Sequence, residues 1–181
     1  MPDSFEKRRR DQQKQRKRRE KLERRVQRNA DKNFSAGKAA TMLHKLRRGE
    51  TEHLTDADTW LCTLDIAAFH GWTPPKDAVH APPGTGSYVR PAGLRVSTDD
   101  AQNLAQSLGA ELPEISDQEL PLTNQPFGEE HTQSLLARRV DGKSVGDDDI
   151  QAARELLSGS PKRDAVRLAD FLKGGAFTVD P

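Results

Sequence analysis

The chain has 181 residues, enough for one compact domain with an appendage, and only 33% are hydrophobic, so its core is modest. Its formal charge of +1 hides a division: residues 1–33 carry 14 basic and 6 acidic side chains (+8), and the other 148 carry 15 and 22 (−7). The single cysteine, Cys62, excludes an intramolecular disulfide and any Cys-based zinc site.

No run approaches the ~18 apolar residues a membrane span needs, and no apolar stretch follows the N-terminal cations as in a secretory signal. A cytoplasmic, soluble protein is the expectation. Charge asymmetry of this kind points to a polyanion-binding arm on an ordinary acidic body.

The arm is KRRRDQQKQRKRREKLERRVQRNADK, Lys7 to Lys32, with fourteen Lys or Arg against four Asp or Glu. Asp3 and Glu6 have capping-box spacing, and no Gly or Pro interrupts Ser4–Lys32, so the composition favours helix. Glu20–Arg24 and Asp11–Lys14 are its favourable pairs, whereas runs such as Arg8-Arg9-Arg10 and Arg16-Lys17-Arg18-Arg19 repel themselves. Leu22, Val26 and Ala30 make one short stripe for a body or a second arm, as in a brief coiled coil. The remainder is polar all round, which describes a helix that a partner would complete or a disordered region.

Asn33–Gly37 reads as the boundary. Beyond it, Ser35 can cap a helix in which Ala39, Met42, Leu43 and Leu46 share a face and Gly49 is the stop. A Thr55 cap opens the next helix, to about His70, burying Ala57, Trp60, Leu61, Leu64 and Ala68. Residues 71–87 hold two Pro-Pro pairs and three glycines and read as a loop, with Trp72 folding back on the body. Tyr88–Arg90 and Leu94–Val96 read as extended pieces. A helix capped by Ser97 or Thr98 carries Ala101, Leu104, Ala105 and Leu108 and breaks at Gly109.

Residues 110–128, with three prolines, are expected to be irregular. Helices are expected over about Glu129–Arg139, from Asp147 with Ile150, Ala153 and Leu157 buried, and from Ser160-Pro161 with Ala165, Leu168, Ala169 and Leu172 inward. The tail Ala176–Val179 is β-type and could pair with Leu94–Val96. The expected fold class is therefore mainly α: a small domain of five or six short helices (35–181) with at most a minor two-stranded β element. A long basic N-terminal helix or disordered arm (1–34) precedes it.

For chemistry, Arg and Lys along a helix gain affinity for phosphates through counterion release, and Arg forks onto phosphate oxygens. The candidate nucleic-acid contacts are Arg8, Arg9, Arg10, Lys14, Arg16, Lys17, Arg18, Arg19, Arg24, Arg25 and Arg28. No aromatic side chain interleaves them, so binding should follow charge and shape, RNA before DNA. An acidic protein is the other partner considered; an anionic membrane would require an apolar face the arm lacks.

Elsewhere the motifs are bland. Ala81–Ser87 lacks phosphate-loop spacing, and no two of His44, His53, His70, His80 and His131 have metal-ligand spacing. Asp147-Asp148-Asp149 suits a helix cap rather than calcium, and Cys62 suits a buried inert thiol. No metal, cofactor or catalytic constellation is expected. The leading reading is a non-enzymatic protein touching RNA or ribonucleoprotein phosphates through the arm. The alternative is a protein–protein adaptor whose helical body binds and whose arm is a solvated tail.

Overall fold

A computed structural model describes residues 42–79, 86–123 and 125–180. The chain divides between Thr41 and Met42, and every described residue belongs to the second unit. The expected basic helix or arm over 1–34 lies outside the described residues.

The body begins with a hairpin where a helix was expected. Strand β1 (Leu43–Arg48) pairs antiparallel with β2 (Thr51–Asp56), from Leu43 opposite Asp56 to Arg48 opposite Thr51. The helical template matched Met42, Leu43 and Leu46, yet Met42 and Leu43 are exposed and Leu46 is fully buried. Alternation prevails: His44, Leu46 and Arg48 turn inward, while Lys45 and Arg47 turn outward, both reaching Glu52 across the ladder. Gly49 is the turn, with φ +58°, rather than a helix stop.

Helix α1 (Ala57–Phe69) is capped one residue later than expected, by Asp56, whose carboxylate accepts the Thr59 N–H at 2.7 Å. Every residue from Thr59 to Ala68 is buried, so α1 is the central helix and is apolar almost all round. Its Trp60 is fully buried, as expected, and its indole N–H donates to the Tyr88 carbonyl at 2.7 Å. Burying such a ring removes ~200 Å² from water, worth about 5 kcal/mol.

A single-turn α2 (Lys76–Val79) interrupts the expected loop. Tyr88–Arg90 forms bends rather than a strand, and β3 is only Arg95–Val96. Helix α3 (Thr98–Glu111) is capped by Ser97 and runs through Gly109 to Glu111. One exposed glycine costs a helix only about 1 kcal/mol, and burial of Leu108 beside it offsets that.

Helices α4 (Glu129–Val140), α5 (Asp147–Leu156) and α6 (Ser160–Leu172) lie close to the expected spans, α6 with Gly159 at its N-cap and Pro161 in its first turn. The triple aspartate is a cap, since the Asp149 carboxylate accepts the Gly146 N–H at 2.8 Å. Strand β4 (Phe177–Val179) pairs antiparallel with β3, Arg95 opposite Thr178 and Val96 opposite Phe177, as the tail suggested. It also pairs with β1.

The sheet is therefore four-stranded, in the order β2-β1-β4-β3, all antiparallel. This corrects the mainly-α expectation: six helices are present among the described residues, but the β element is a whole sheet rather than a minor ribbon. Leu46, Val96, Phe177 and Val179 on its inner face join Trp60, Leu168 and Leu172 in one core. Helix α1 packs on α3, α4 and α5.

Candidate functional site

All eleven arm residues singled out as phosphate contacts, Arg8 through Arg28, lie outside the described residues. The body bears on them indirectly, through where its own cations are used. On the sheet's outer face Lys45 and Arg47 share Glu52, and Arg47 also meets Asp180 at 3.0 Å. Arg90 pairs with Glu129, Arg138 with Asp149, Lys162 with Asp117 and Lys173 with Asp170, all within 3.0 Å. Arg48 donates to the Phe171 carbonyl at 2.6 Å and lies over its ring. Arg139 donates only to the Gly71 and Lys143 carbonyls, and Lys76, Arg95 and Arg163 likewise pair with no described carboxylate; the four stand on separate elements. Among the described residues most of the body's cations are thus held by its own carboxylates or carbonyls.

The most organised polar feature of the body is a groove of about 420 Å³ between the end of α1 and α3, lined by His70, Trp72, Asp100, Asn103 and Ser107 among others. Two networks close its ends. At one, Glu111, whose side chain is only 3% exposed, accepts from Arg154 Nε at 2.5 Å and meets His70 Nε2 at 2.9 Å. Arg154 continues to Asp147 at 3.0 Å and lies over the Phe69 ring. At the other end Asp100 accepts from Trp72 Nε1, the Tyr88 hydroxyl and Ser97 Oγ, at 2.9, 2.9 and 2.8 Å. Burial and the Asp100 carboxylate together hold the Tyr88 hydroxyl far above its usual pKa.

Chemically, both carboxylates are already spent. Glu111 fixes an imidazole and a guanidinium, and Asp100 fastens the 86–90 bend and Trp72 to the first turn of α3. These groups orient the groove wall. Trp72 folds back on the body, as expected, 6% exposed and edge-on to Tyr88.

Asp65 is different. It sits mid-way along α1 with no exposure, and neither carboxyl oxygen has a hydrogen-bond partner. The Thr132 hydroxyl on α4 approaches without meeting good hydrogen-bond geometry. Burial pushes the Asp65 carboxyl up to about 7, Thr132 offsets part of that, and Asp149 on α5 raises it further. Nearby Cys62 is fully buried, as expected, and burial raises its thiol well above the usual range, which makes it inert.

Among the described residues no three His, Cys, Asp or Glu side chains are grouped to hold an ion. His70 caps the C-terminus of α1, where the expected helix ended. The Glu111–Arg154–Asp147 network joins α3 to α5 across more than forty positions of chain and leaves no local motif. Asp65 had a signal: it is the one acid in the run Trp60–Ala68. No family model matches the chain, and neither a curated protein nor a solved structure matches it.

Proposed function

We propose that the protein is a non-enzymatic binding protein that engages the phosphates of RNA, or of ribonucleoprotein, through the cations between Lys7 and Lys32. The observation that carries this reading is the allocation of charge. The first 33 residues hold a surplus of +8, whereas the body's cations are largely committed to its own carboxylates and carbonyls. A polyanion arriving at this chain is offered one concentrated source of unneutralised charge, and displacing condensed counterions supplies the affinity. Recognition is by backbone charge rather than by base, because Phe5 and Phe34 only flank the basic run.

The test replaces Arg8, Arg9, Arg10, Arg16, Lys17, Arg18 and Arg19 by Gln in the full chain. Fluorescence anisotropy on a labelled single-stranded RNA in dilute buffer should show the parent chain bound and the variant weakened by at least about a hundredfold. Equal affinities for the two chains would remove the arm from the account.

A further inference from the structure

The two edges of the sheet differ. At one, β3 is two residues long; at the other, β2 is six residues long and pairs only with β1. Short strands, prolines and lysines blunt an edge against the addition of another strand. Strand β2 has none of these.

The ladder bonds show which backbone groups face outward. The Ala57 N–H donates to the Met42 carbonyl at 2.9 Å, just beyond the Leu43–Asp56 pair, and bonded and non-bonded pairs alternate in an antiparallel ladder. Lys45–Leu54 and Arg47–Glu52 are therefore non-bonded pairs. The far side of β1 agrees, because the Lys45 carbonyl accepts from Asp180 on the β4 side at 2.9 Å. Glu52 and Leu54 thus turn their N–H and C=O groups to the open edge, where no described group meets them. Their side chains share the outer face, with Leu54 and its diagonal neighbour Leu43 each 59% exposed.

Charge and register identify the occupant. Strand β2 and its flanks hold Glu50, Glu52, Asp56 and Asp58 and no cation. Lys45 and Arg47 both meet Glu52 at Oε1, so Oε2 has no partner among the described residues. A second copy adding β2 to β2 with continuous faces must oppose residues two or four apart. One such register sets Glu52 against Asp56 twice, and the other sets Glu50 against Asp56; like charges directly opposite destabilise a ladder. A different strand, with cations opposite Glu52 and Asp56 and an apolar side chain opposite Leu54, matches every outer position.

We propose that β2 is a docking edge for an extended peptide of a partner protein, which adds antiparallel as a fifth strand and carries Lys or Arg, an apolar residue, and Lys or Arg at alternate positions. Main-chain bonds to Glu52 and Leu54 hold it, and the alternate side chains select it.

The test titrates the nuclease-treated, isotope-labelled full chain with the capped peptide Thr-Lys-Thr-Val-Thr-Lys-Thr at about 0.15 M salt, following the Glu52 and Leu54 amide signals by NMR. Both should shift and saturate. Methylating the valine nitrogen removes the N–H that faces Leu54 and should weaken binding at least about tenfold. Methylating the next threonine nitrogen, which faces away, should cost less than about threefold. Glutamine in place of both lysines should weaken binding at least about threefold. Leu54→Pro deletes an outward donor that the ladder does not use and should weaken binding at least about tenfold. Circular dichroism checks that this variant is folded, and the methylated peptides decide the matter on the parent chain alone. Unmoved amide signals would overturn the proposal, as would equal losses from the two methylations or a glutamine peptide that binds as tightly as the lysine one.

Discussion

Replacing Asp65 by Asn removes a charge without removing a side chain, and the structure sets the size of the effect. In the folded protein the carboxyl has no hydrogen-bond partner and burial raises its pKa to about 7, from 3.8 in the unfolded chain. Below pH ~4 the group is neutral in both states and its ionisation adds no cost. As pH rises to about 7 the unfolded chain releases its proton while the folded protein retains it, so stability falls. Above pH ~7 both states are ionised and the loss is complete. Three pKa units at ~1.4 kcal/mol each make that loss about 4 kcal/mol. An amide has no titrating proton, so Asp65→Asn should gain on the parent by about 4 kcal/mol between pH ~4 and pH ~8. Urea unfolding at a series of pH values, monitored by fluorescence of the buried Trp60 and Trp72, measures the difference directly. Parent and variant curves that stay parallel in pH would refute the reasoning, since Asp65 would then titrate alike folded and unfolded.

Two further outcomes rest on the same geometry. Glu111→Gln leaves Arg154 and His70 without their shared carboxylate. Arg154 keeps Asp147, so the cost should be about 2–3 kcal/mol, below the ~3–5 for breaking a fully buried pair, and a lowered urea midpoint would show it. Gly86→Ala should destabilise more than Gly49→Ala: both have positive φ, but a Cβ at Gly86 would stand 2.7 Å from the Leu94 nitrogen while Gly49 has open space. Thermal melts should place Gly49→Ala within about 1–2 kcal/mol of the parent and Gly86→Ala beyond it.

Much of the helical part of the body was legible because burial there follows a 3.6-residue period. Ile150, Ala153 and Leu157, or Ala165, Leu168 and Leu172, announce one face each and are buried as read. The hairpin was not legible. Met42, Leu43 and Leu46 satisfy a helical template by spacing alone, and only the partner strand Thr51–Asp56, itself read as a cap and its lead-in, turns the segment into a ladder. Strand pairing is a non-local fact that short windows miss. The pairing of β3 with β4 was accessible because Phe177–Val179 alternates visibly after the Gly174-Gly175 break.

The candidate site divides in the same way. Charge is additive along a chain, so the arm's surplus is plain from residue counts. The partners of Glu111 and of Asp100 are brought together by folding from α1, α3, α5 and the 86–90 bend, and no spacing announces them.

The most direct measurement of the central claim is the slope of log Kobs against log salt for the full chain on a single-stranded RNA. Each phosphate neutralised contributes about −0.7, so engagement of most of the eleven candidate contacts, Arg8 through Arg28, predicts a slope steeper than about −5. A slope near zero, or the same slope after Arg8, Arg9, Arg10, Arg16, Lys17, Arg18 and Arg19 become Gln, would contradict it.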